Sequence, residues 1–174
     1  MNWMRLYKKI KDNMNFFKRK YYQVYIGLLK LVGASDIEIS KAKYLYKNDK
    51  KLNLDQPVEF MEKIQWLKLY FYKEEFGSYV DKFEVRDYVA KKVGEKYLNP
   101  IYGVYESFKD IDFSILPEKF IIKGTHGSGM NILVTDKSKI NLKAVKKRIN
   151  CFLHKNYFEV NREYVYKNLK PRIV

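Results

Sequence analysis

A chain of 174 residues is about one domain's worth, and with 47% hydrophobic and 17% aromatic residues it is not an intrinsically disordered one. Thirty-five Lys and Arg against 20 Asp and Glu give a net charge of +15, which points to an anionic partner: nucleic acid, a membrane surface or a phosphorylated ligand. A single cysteine, Cys151, excludes an internal disulfide and fits a reducing compartment, and with only His126 and His154 beside it a four-ligand zinc site is disfavoured.

Residues 1–50 hold 12 basic and 4 acidic side chains, a net +8. Trp3, Leu6, Tyr7, Ile10, Met14, Phe17, Tyr21, Val24, Leu28 and Val32 recur every three or four residues, which places them on one side of a helix. Arg5, Lys8, Lys9, Lys11, Lys18, Arg19 and Lys20 surround the stripe. Two placements fit: the stripe packs on the domain with its lysines in solvent, or it lies in an anionic bilayer interface. The chain has no apolar run of about 18 residues and no signal-peptide pattern. The expected location is cytoplasmic, with any lipid contact at the inner face of the membrane.

Residues 51–137 are nearly neutral, with 13 basic and 14 acidic side chains. Asp55-Gln56-Pro57 reads as a helix start, followed by Phe60, Ile64, Leu67 and Phe71 at helical spacing and ended by Gly77. A second helix is predicted from Asp81, where Asp81 and Glu84 have capping-box spacing, to a stop at Gly94. An extended stretch from Asn99 to Tyr105 follows.

Residues 117–136 read PEKFIIKGTHGSGMNILVTD. Phe120, Ile121 and Ile122 form a short run ending in Lys123; Gly124, Gly127 and Gly129 come next, and then Ile132, Leu133, Val134 and Thr135. The pattern is a strand, a glycine loop and a strand. Such a loop lets the backbone approach a phosphate closely, with Lys123 aimed at its oxygens, although glycines serve plain turns equally well. It is not a P-loop or a dinucleotide fingerprint, since both need a helix directly after the glycines. His126 has no nucleophile or acid paired with it, so it reads as a loop hydrogen bond. A last helix from Asn141 to Lys155 places Cys151 and His154 in structural packing roles. Residues 138–174 carry 10 basic and 2 acidic side chains, again +8.

The segments LNLDQPVEFMEKIQWLKLY, DKFEVRDYVAKKVGEKYLNPIYGVY, LPEKFIIKGTHGSGMNILV and YKNLKPRIV occur in unbroken order over roughly residues 52–174. Together they resemble the TupA-like branch of the ATP-grasp superfamily, whose relatives occur among bacterial cell-surface polysaccharide genes and often carry a glycosyltransferase label. The resemblance implies an α+β fold: an N-terminal helical region, then the first half of an ATP-grasp fold with a glycine-rich β-hairpin. It divides the chain into a basic amphipathic extension, residues 1–50, and an incomplete ATP-grasp portion, residues 51–174.

The resemblance also implies ATP and magnesium as cofactors. Lys123 matches the strand lysine on the nucleotide phosphates, and Gly127, Ser128 and Gly129 match the mobile loop over them, with His126 and Asn131 as neighbours. Asp81-Lys82 matches a pair whose lysine supplies a second cation. After Asp136 the only acidic residues are Glu159 and Glu163, neither in an acid–x–Asn pattern, so no metal ligand is assigned. The expectation is a chain without the magnesium-binding half and inactive or incomplete by itself.

The expected function is ATP-dependent joining of a carboxylate to an amine, or a related transfer, on a polysaccharide precursor or amino-acid substrate. Two alternatives stay open: glycosyl transfer from a nucleotide sugar, and a basic non-enzymatic module binding anionic lipid or nucleic acid. Nucleic acid is the weaker of those two partners, because the charge lies in separate flanks instead of one continuous face.

Overall fold

The computed structural model describes residues 17, 18 and 20–174, so Trp3, Leu6, Tyr7, Ile10 and Met14 of the N-terminal stripe lie outside the described residues. The chain divides into two compact units, residues 1–71 and 72–174. It is mostly helical, with one small antiparallel sheet, which is an α+β composition. No helix among the described residues is long and apolar enough to cross a membrane.

In the first unit, residues 20–31 are helical and α1 follows at Asp36–Asn48. Ser35 opens α1 with a reciprocal cap: its hydroxyl accepts from the Glu38 amide, and the Glu38 carboxylate accepts from the Ser35 amide at 2.8 Å. Helix α2 spans Phe60–Tyr70. Tyr44, Leu52 and Leu54 form this unit's buried cluster, with Ile37 and Leu69 packed against it.

The start and end of α2 correct the sequence expectation. Asn53 takes the Asp55 and Gln56 amides on its side-chain oxygen, both at 3.1 Å, holding that segment in a turn. Glu62 then reaches back to the amides of Val58 and Glu59, at 3.1 and 3.0 Å, so the helix begins three residues after Pro57. Those amide contacts, the one from Glu59 foremost, hold its carboxyl below the usual carboxylate range. At the other end α2 stops at Tyr70, and Gly77 lies inside a separate short helix, α3, Phe76–Val80.

In the second unit, Asp81 accepts the Phe83 and Glu84 amides on one carboxylate oxygen, at 2.8 and 3.1 Å, and leads into α4, Val85–Val93. Gly94 closes α4, as the sequence predicts. The predicted hairpin is present: β1, Phe120–Lys123, pairs antiparallel with β2, Asn131–Val134, in the register Phe120 to Val134 and Lys123 to Asn131. Side chains alternate along each strand. Phe120, Ile122, Ile132 and Val134 are buried, while Leu133 on the other face is 70% exposed.

Helix α5, Leu142–Leu153, starts where Asn141 accepts the Ala144 amide at 3.0 Å. Its Val145 and Ile149, one turn apart, join the hairpin's inner face, Ile111, Leu116 and Ile173 in one core. His154 ends α5, its Nδ1 2.7 Å from the Asn150 carbonyl; His154 and Cys151 are both exposed, so neither is buried as the expected packing roles would require. The short α6, Phe158–Asn161, follows. The PRIV segment then returns to the hairpin: Ile173 bridges Tyr105 on one side and Gly124 on the other.

Candidate functional site

Backbone pairing fixes where Lys123 stands. Its amide donates to the Val174 carbonyl at 2.8 Å, and its carbonyl accepts from the Val174 amide at 2.9 Å. The peptide is thus held from the PRIV side while β2 holds the strand from the other. Lys123 and Lys82 both line a cavity of about 540 Å³ with a mostly apolar wall. Pro100, Tyr102, Tyr105, Phe120 and Ile122 contribute to that wall, and Arg86 adds a third cation. Lys123 is partly buried and forms no ion pair among the described residues.

Lys82 has partners, and they are carbonyls. Its ammonium donates to the carbonyls of Gly124 at 2.9 Å and Gly127, with Thr125 at 3.5 Å. Its own amide also donates to the Thr125 carbonyl at 3.2 Å. Burial lowers the Lys82 pKa; the Asp81 carboxylate opposes that, and the nearby Lys123 charge adds to it. The two lysines are therefore like charges beside one cavity.

The loop from Gly124 to Met130 is closed by the Gly124 amide on the Met130 carbonyl at 2.9 Å. Gly129 has φ +73°, a left-handed conformation that disfavours any residue with a Cβ. Gly127 is needed for a different reason: a Cβ there would sit 2.7 Å from Met130 Cε and 2.9 Å from the Tyr157 ring. Met130, 2% exposed, fills the space beneath the loop. Ser128 and Gly129 are exposed at the tip, and their amides donate to no acceptor among the described residues.

Of the residues predicted to bind nucleotide, only Lys82 and Lys123 line this cavity; Gly127, Ser128, Gly129, His126 and Asn131 do not. His126 is 2% exposed, and its Nε2 lies 3.0 Å from the Phe152 carbonyl at the end of α5. Burial is the main cause of its lowered pKa, so the ring is held neutral. It lines a second, smaller cavity with His154, Tyr157 and Tyr166. Asn131 is exposed on β2, and its carbonyl accepts from Arg148 Nη2 at 2.7 Å.

Two residues that sequence reasoning missed hold the site together. Met130 is one. Arg172 is the other: its guanidinium pairs with Glu84 at 2.6 Å, lies 3.5 Å from Asp81 and stacks 5.3 Å from the centre of the Phe83 ring. It ties the PRIV segment to the turn that carries Lys82. Its place in the PRIV motif was the available signal.

Among the described residues no three His, Cys, Asp or Glu side chains gather as a metal site. A family model described as TupA-like ATPgrasp matches residues 62–174. No curated protein and no solved structure matches the chain.

Proposed function

The chain belongs to the TupA-like ATP-grasp family and carries an ATP-grasp-type domain, and from that premise we propose that the cavity beside Lys123 binds ATP. One observation carries the reading: Lys123 is a partly buried cation without an anionic partner among the described residues, next to a second lysine, at the edge of an apolar cavity. A polyphosphate relieves the repulsion between the two lysines, and the apolar wall suits a base. The exposed amides of Ser128 and Gly129 are further donors for phosphate oxygens.

When bound, ATP supplies a phosphoryl group that activates a carboxylate for capture by an amine. Lys123 neutralises and orients the phosphates, and Lys82 holds the loop in register through its carbonyls. Magnesium accompanies the nucleotide in this family, and the part proposed for this chain's described residues is phosphate binding and positioning. The substrate class proposed is a carboxylate and an amine of bacterial cell-surface polysaccharide synthesis, supported by the family alone.

Titration calorimetry with ATP tests the reading. Lys123→Ala removes a charge-assisted contact of about 1.5–3 kcal/mol, so affinity should fall roughly 10- to 100-fold. An unchanged affinity removes Lys123 from the site. Tighter binding of a nucleotide sugar than of ATP replaces ligation with glycosyl transfer.

A further inference from the structure

Arg86, Arg148, Arg162 and Arg172 are the arginines of the described residues, and the last three have partners. Arg148 donates to the Asn131 carbonyl and lies 5.9 Å from the centre of the Phe152 ring. Arg162 pairs with Glu159 over the Phe158 ring, and Arg172 pairs with Glu84 over the Phe83 ring. Arg86 has no ion pair, side-chain hydrogen bond or ring contact among the described residues. It is half-buried and lines the cavity shared by Lys82 and Lys123.

Local structure gives no reason for a cation at this position. Arg86 is the second residue of α4, in the first helical turn, where the helix dipole favours acids over bases. Among the described residues no Asp or Glu lines the cavity. The Glu84 carboxylate, two residues back, is taken by Arg172, and the exposed Asp87 forms no ion pair with Arg86. The Lys82 ammonium is spent on loop carbonyls, so the cations left for a ligand are Lys123 and Arg86. A partly desolvated cation without a counter-charge is costly, and a residue that breaks a local rule with no structural gain marks a functional position.

A guanidinium differs from the two ammonium groups in its planar fork, which meets two oxygens of one phosphate or carboxylate at once. We propose that Arg86 is a second oxyanion grip of this cavity, in addition to Lys123, and pairs through that fork with an oxyanion of the bound substrates. The proposal rests on the reading of the cavity as the ATP site. Two sources share this chemistry: a phosphate of the nucleotide, and the carboxylate that the nucleotide activates.

The test is labelling of the full chain with phenylglyoxal, which modifies accessible guanidinium groups, read at each arginine by mass spectrometry. Arg148 does not line the cavity and serves as the internal reference. With ATP at about ten times its Kd, roughly one tenth of the sites stay free, so labelling of Arg86 should slow about tenfold while that of Arg148 is unchanged. Inorganic phosphate should protect Arg86 in the same direction. Protection by ATP assigns the grip to nucleotide phosphate, and Arg86→Gln should then lower ATP affinity roughly 10- to 100-fold, with Arg86→Lys recovering part of it. Protection that appears only when succinate is added to the ATP-bound protein assigns it to the carboxylate. No protection by ATP, phosphate or succinate overturns the proposal. So does an affinity loss in Arg86→Gln matched by a lower urea midpoint, because that would make Arg86 a structural residue. ATP bound by the wild-type chain with Arg86 left open to label and to succinate sinks this proposal alone. A wild-type chain that binds no ATP sinks the nucleotide reading, and the phosphate and succinate arms still decide Arg86.

Discussion

His126 stands two residues from the loop tip, yet its ring belongs to the packing between the hairpin and α5. With Nε2 on the Phe152 carbonyl and 2% of the residue exposed, protonation would place a charge where water cannot reach it. Asp81 favours the charged ring and Lys82 opposes it, but burial is the larger cause and the pKa stays below its ordinary value. The sign follows from linkage: below about pH 6.5 the unfolded chain takes up a proton that the folded chain resists. Stability from this residue is therefore complete above that pH and is lost as pH falls toward the lowered folded value. Urea midpoints should drop between pH 7.5 and 5.5, before most carboxylates titrate, and His126→Asn should flatten that slope. An identical slope in the variant would assign the effect to other groups.

At the scale of elements, the hairpin and its loop form a small machine with two kinds of fastening. The strands hold through their ladder and inner face, whereas the loop is held from outside by the Lys82 ammonium on its carbonyls. Lys82→Ala should therefore leave the β1–β2 amides protected from hydrogen exchange and speed exchange at Thr125 to Gly129. An exchange pattern identical to wild type would mean that the loop is held by Met130 and Tyr157 alone. The hairpin was legible in the sequence because alternating β-branched residues flank a glycine cluster, a purely local pattern. The placement of Lys123 at the end of β1 was legible for the same reason. The start of α2 was not, because Glu62 gathers amides from up to nine residues upstream. The same limit applies to Lys82: its spacing showed a cation beside a cap, but its carbonyl partners lie more than 40 residues away.

For the molecule as a whole, two separate buried clusters, one in each compact unit, imply that stability is stored in two places. The first unit relies on Tyr44, Leu52 and Leu54, a small set, and its N-terminal helix exposes one apolar side. The second gathers nine buried residues around the hairpin, with Ile149 fully buried at the centre of α5. A chain built this way unfolds in parts when one cluster is weakened. Truncating Ile149 to alanine leaves a cavity and should cost about 2–5 kcal/mol. Native-state hydrogen exchange then separates the outcomes. Amides of β1, β2 and α5 should lose protection by that amount, while those of α1 around Ala42 and Tyr44 keep theirs. Equal loss in both sets would show one cooperative unit, in which case the Tyr44 cluster and the cavity beside Lys123 would stand or fall together on heating.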